Sequence, residues 1–171
     1  MRNYARRLAG ATGHQISTFG KPNFAVIIAS EDDRDATLEQ AAARIPGISS
    51  DSLAALRDLR RDTYCVVAAF ATGSDAYTYT AAVAVIRAEN PDLLRLSCIH
   101  EELSQGLGLA NDSPEARPSI FNDDDEFALL TGHDELLLRM LYDPRLRPGM
   151  TADEAAPLTR IIARELMSGP L

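Results

Sequence analysis

The chain has 171 residues, 46% hydrophobic and 25% charged, which is enough apolar material to bury the core of an ordinary globular domain. Its formal net charge is −8, and residues 62–171 hold eighteen of the 25 acids against eight of the 17 basic residues. That balance repels a phosphate backbone and excludes nucleic acid as a partner, and no apolar run approaches the roughly eighteen residues of a membrane-spanning helix.

Residues 1–10 read as a short helix ending at Gly10, and this start is charged but lacks the apolar stretch of a signal peptide. Gln15–Phe19 and Asn23–Ser30 read as strands, the second a near-continuous apolar run suited to burial on both faces. Glu31–Asp35 reads as a solvated acidic loop. Leu38–Ile45 reads as a helix stopped by Pro46 and Gly47, and Asp51 or Ser52 as the cap of a helix running to about Arg61. Cys65–Ala71 and Tyr79–Arg87 read as strands joined by a turn-rich segment over 72–76.

A helix is expected from about Pro91 to Leu107, with Asp92 favourable in its first turn and an apolar face of Leu96, Ile99, Leu103 and Leu107. A loop with Pro114 and Pro118 then leads to a helix from about Asp124 to Leu141. The acids of Asn122–Glu126 read as complementing that helix's dipole; they lack the glycine and the spacing of a calcium-binding loop. Thr151 to Glu154 has the capping-box pattern and starts a last helix ending near Ser168. No internal repeat or second domain is visible, so residues 1–171 read as one α+β domain.

The chemistry concentrates at Glu101–Asp112, Glu-Glu-Leu-Ser-Gln-Gly-Leu-Gly-Leu-Ala-Asn-Asp. This stretch resembles the metzincin zinc-peptidase signature H-E-x-x-H-x-x-G-x-x-H with its ligands replaced. The general-base glutamate falls on Glu102 and the glycine on Gly108, while the histidine positions fall on Glu101, Gln105 and Asn111. On a helix Glu101 and Gln105 share a face, and Gly108 lets the chain turn so that Asn111, with Asp112 beside it, swings back toward them. Zinc prefers imidazole, thiolate and carboxylate, so this set holds zinc weakly, and using Asp112 instead of Asn111 suits calcium or magnesium better. His100 begins a rival H-E-x-x-H frame that fails at Ser104, and His14 and His133 form no ligand spacing with it. By spacing alone, an amphipathic helix ending at a glycine is the better description.

The ordered string Cys98–Ser113, then Pro118–Asp123, His133–Leu146 and Pro148–Met150, is more specific. It resembles a bacterial family of domains of unknown function grouped with the zincin-like peptidases and found mostly in exported proteins and lipoproteins. The resemblance implies a zincin-like α+β fold: a small mixed sheet, an active-site-type helix and a helical C-terminal part. The cleft would lie between that helix and an edge strand, expected to be Tyr79–Arg87. It also implies that Ser119-Ile-Phe121 stands for the Ser-Ile-Met turn beneath the metal, with Phe121 replacing methionine. Export is implied too, and with it an N-terminus that began further upstream. In an exported chain Cys65 and Cys98 are expected to pair across about 33 residues, adding on the order of 3–4 kcal/mol; in a reducing compartment they would be two buried thiols.

Three functions follow as expectations. One is a pseudo-peptidase without catalytic zinc or other cofactor, binding a protein or peptide or serving envelope structure. Another is an active hydrolase in which one divalent metal, held by Glu101, Gln105 and Asp112, activates water with Glu102 as general base. The third is a structural module whose Glu101, Gln105 and Asn111 satisfy one another.

Overall fold

The computed structural model describes residues 1–48, 50–71, 74–122 and 126–168. The elements run α1 (Arg2–Thr12), β1 (Phe24–Ala29), α2 (Arg34–Ala42), α3 (Ser50–Arg57), β2 (Cys65–Phe70), β3 (Ala81–Arg87), α4 (Asp92–Gly106), α5 (Gly132–Leu141) and α6 (Ala152–Ser168). The architecture is mixed α and β, with one small sheet. The chain forms two compact units: Ser17–Asn111, and Met1–Ile16 together with Asp112–Leu171.

The Ser17–Asn111 unit is built on a sheet of order β1-β3-β2, with β3 parallel to β1 and antiparallel to β2. Side chains alternate between its faces. One face carries Ala25, Ile27 and Ala29 of β1, Ala81, Val83 and Val85 of β3, and Val66, Ala68 and Phe70 of β2; with Leu38 and Ile45 and with Leu53 and Leu56 of α3 they form the main core. The other face, against which α4 packs, pairs Phe24 with Ala82 and Val26 with Ala84. Ala82 and Ala84 of β3 lie on that face and its valines on the opposite one, so α4 can approach closely.

The closest approach is at Gly106. A Cβ there would lie 2.5 Å from the Phe24 ring and 3.2 Å from Val67 Cγ2. Gly106→Val is therefore expected to lower unfolding stability by about 2 kcal/mol, by overpacking. Adding Phe24→Ala should return part of that loss in a double-mutant cycle read by urea denaturation. Strictly additive losses would show that the ring and the new side chain do not meet.

At the carboxyl ends of β1 and β3, Glu31 joins several segments. Its carboxylate accepts from Arg34 Nη1 at 2.9 Å and from Arg87, while its N–H donates to Glu89 at 2.9 Å. Arg34 also reaches the Arg57 carbonyl, and Arg87 the carbonyls of Thr63 and Arg60. Hydrogen bonds from the Arg34 and Arg87 guanidinium groups hold the Glu31 carboxyl down at about 2. The acids of the run after β1 are exposed and Glu31–Asp33 form a turn, as expected, but the loop ends at Asp33, at the N-cap position of α2, with Asp35 in the first helical turn.

Other expectations are corrected as well. Gln15–Phe19 forms no strand: Ser17 Oγ bonds the Phe19 backbone locally, and Phe19 is 79% exposed, so no alternating face is buried. Helix α2 begins at Arg34 rather than Leu38, and α3 starts at Ser50, placing Asp51 in its first turn, and ends at Arg57 rather than near Arg61. Strand β3, expected at the edge, lies in the centre, because six of its seven residues are buried and β1 and β2 flank it. Of the turn-rich link before β3, residues 72 and 73 lie outside the described residues.

In the other unit, α5 begins at Gly132, not near Asp124. The acids complementing its dipole are Asp134 and Glu135; of the run Asn122–Glu126, residues 123–125 lie outside the described residues. Arg7 of α1 donates to Glu135 and to the Leu130 carbonyl, tying α1 to α5. Helix α6 starts as expected, with Thr151 N and Oγ1 donating to Glu154 at 2.8 and 2.9 Å. Among the described residues no helix is long and apolar enough to cross a membrane.

Candidate functional site: the α4 carboxylates and the Ser119 turn

Helix α4 follows β3 through a short turn in which Arg95 Nη1 donates to the Ala88 and Asn90 carbonyls at 2.9 and 2.7 Å. Asp92 occupies the first helical turn. The buried side chains of α4 are Cys98, His100, Glu102 and Ser104, with Gly106, whereas Leu93 is 61% and Leu96 39% exposed. The expected apolar face of Leu96, Ile99, Leu103 and Leu107 is therefore not what decides the packing. Cys98, Glu102 and Gly106 recur every four residues and form the stripe facing the sheet. Tertiary contacts there, a disulfide and a glycine approach, outrank the leucine pattern.

Cys98 is bonded to Cys65, the first residue of β2, with Cα atoms 5.9 Å apart and a separation of 33 positions in sequence. Beside this bridge, Cys65 Sγ and one carboxylate oxygen each of Glu101 and Glu102 lie within 4.8 Å of one another. Glu102 is only 4% exposed, while Glu101 and Gln105 are half-buried. His100 is two residues from Glu102, hence on the far side of the helix, where Ser104 Oγ donates to its carbonyl at 2.8 Å. The last turn closes with Leu107 N–H donating to Ser104 O and Gly108 N–H to Gln105 O. Gly108 then takes φ +122°, a conformation side chains disfavour. Beyond it the chain is irregular; Asn111 ends this unit exposed, and Asp112, also exposed, begins the next segment of the other unit.

The resemblance implies zinc, and the donors do not fit it. Glu101, Gln105, Asn111 and Asp112 include no imidazole, and the sulfur nearest the glutamates is half of a disulfide rather than a thiolate ligand. What α4 offers is a pair of carboxylates, a donor type that suits hard cations.

In the other unit, the turn Ser119–Phe121 follows a cis Arg117–Pro118 peptide and is buried. Asp134, wholly buried in the first turn of α5, collects its donors: Ser119 Oγ at 2.5 Å, Ile120 N at 3.1 Å and Thr131 N at 2.8 Å. Ser119 Oγ in turn accepts from Phe121 N at 3.0 Å, and Thr131 caps the helix by accepting from Asp134 N. Phe121 is 3% exposed. Sequence reasoning missed the role of Asp134, although the signal was present: Thr131-Gly-His-Asp134 is a capping pattern, hidden by placing the helix start near Asp124.

No curated protein and no solved structure matches the chain. A family profile does, over residues 1–161, that of a protein of unknown function, DUF2927. With nearly its whole length aligned to that profile, the chain belongs to the DUF2927 family.

Proposed function

We propose that the chain is a zincin-like, metzincin-derived domain in which the catalytic centre has become a binding or envelope-structural element, an exported pseudo-peptidase that engages a protein or peptide without cleaving it. The observation that carries this reading is the donor set on α4 and in the segment just after it. Glutamate, glutamine and asparagine stand where three imidazoles would, at the spacing of the signature. Glu102, at the general-base position, faces the sheet beside a disulfide and is almost closed to solvent. A base that cannot reach solvent or substrate activates no water. One feature supports the ancestry: Gly108, at the signature's glycine position, has the positive φ that lets the chain turn out of the helix. The disulfide is compatible with an oxidising, exported location.

Metal analysis and peptide hydrolysis test the proposal together. Protein made in an oxidising compartment should retain less than one equivalent of zinc after dialysis. Wild type and Glu102→Gln, both verified as folded by circular dichroism, should be equally inert. One equivalent of retained metal, with chelator-sensitive hydrolysis that disappears in Glu102→Gln, would establish the metal-dependent hydrolase in place of the pseudo-peptidase.

A further inference from the structure

The free edge of β1 lies on the side of the sheet away from β2 and has a groove beside it. Its floor is Ala25 and Ile27, its wall Thr37, Gln40 and Ala41 of α2 with Arg44 just beyond, and its volume is about 380 Å³. Ala82 N–H donates to Asn23 O and Ala88 N–H to Ala29 O, so the odd-numbered residues of this segment face β3. By alternation, the N–H and C=O groups of Phe24, Val26 and Ile28 point outward. Proteins usually protect such an edge with a charge, a proline or a bulge. Phe-Ala-Val-Ile-Ile-Ala has none of these over Phe24–Ala29, and Ile28 is 46% exposed. Small side chains at Ala25 and Ala41 leave room for larger ones from an added strand.

Charge identifies the occupant. Among the described residues, Arg44 is the one charged residue lining the groove; it is exposed, and none of their acids pairs with it. The β1 strand of a second copy, Phe-Ala-Val-Ile-Ile-Ala, carries no acid to set against Arg44. We propose that β1 and α2 form a docking groove for an extended peptide of another protein, which adds as a strand to β1, places alternate apolar side chains over Ala25 and Ile27, and sets an acidic side chain against Arg44. This proposal is independent of whether the α4 carboxylates hold a metal.

The probe is a fluorescein-labelled, end-blocked octapeptide alternating valine and threonine with one glutamate, compared with its lysine counterpart. Anisotropy should show the glutamate peptide binding roughly fivefold more tightly, the scale of one exposed ion pair. Amide shifts on titration should be confined to β1, α2 and Arg44. Arg44→Glu should reverse the preference. Val26→Pro removes an outward N–H, which the β1–β3 ladder does not use, and should abolish binding while circular dichroism stays native. The proposal is overturned by no binding at millimolar peptide, by binding indifferent to both substitutions, or by shifts outside the groove. Sedimentation showing a dimer that Val26→Pro dissociates would also overturn it, by assigning the edge to a second copy.

Discussion

Replacing Asp134 with alanine is expected to lower unfolding stability by about 3–5 kcal/mol, because a fully buried acceptor disappears and leaves its donors behind. Ser119 Oγ, Ile120 N–H and Thr131 N–H all end on this carboxylate, and each buried donor left without a partner costs roughly 1–3 kcal/mol before relaxation. The same substitution removes one half of the Thr131 capping box, so the start of α5 and the Ser119 turn loosen together. Asp134→Asn keeps one oxygen and the shape but turns an NH₂ toward a donor, and should fall between wild type and alanine. Urea denaturation reads both, as a shift in midpoint at constant slope. A loss below about 1 kcal/mol for the alanine variant would mean that the turn is held by packing around Phe121 and not by the carboxylate.

Loss of the Cys65–Cys98 bridge is expected to cost about 3–4 kcal/mol, the chain-entropy value for a 33-residue separation. The bridge closes a loop containing all of β3, the central strand, and joins the start of β2 to the middle of α4. Without it, α4 is held on the sheet by non-covalent packing along the Glu102–Gly106 stripe and by the Arg95 hydrogen bonds to the turn after β3. The Cys65→Ala/Cys98→Ala variant and reduced wild type should therefore unfold at similar urea concentrations, both well below oxidised wild type, and reductant should leave the double variant unchanged. Reductant-insensitive stability of wild type would show that the thiols are unpaired in solution.

These two predictions differ in how visible their causes were. The cysteines flank apolar segments that read as core elements, so pairing in an oxidising compartment was a direct expectation. Asp134 was not visible as a strut, since its donors come from fifteen residues away at Ser119 and from a helix start misplaced by the acidic run before it. The strands β1, β2 and β3, the span of α4 and the start of α6 were all legible, because continuous apolar runs, an Asp in a first turn and a capping box act within a few residues. Glu101, Glu102 and Gly108 were legible as a spacing, but the burial of Glu102 beside Cys65 was not.

The sequence by itself determined the family, the mixed α and β composition, the spacing of Glu101, Glu102 and Gln105 on α4 and the candidate cysteine pair, all of which are properties of residue type and local order. Only the tertiary structure decided that β3 is central, that α4 faces the sheet through Cys98, Glu102 and Gly106 rather than its leucines, that Glu31 is an arginine-bound junction, and that the edge of β1 is open. The physical reason is range. Helical period, capping and strand propensity are written within a few consecutive residues, whereas strand order and the buried face of a helix follow from which surfaces fit, as Gly106 fits beneath Phe24 from 82 positions further along the chain.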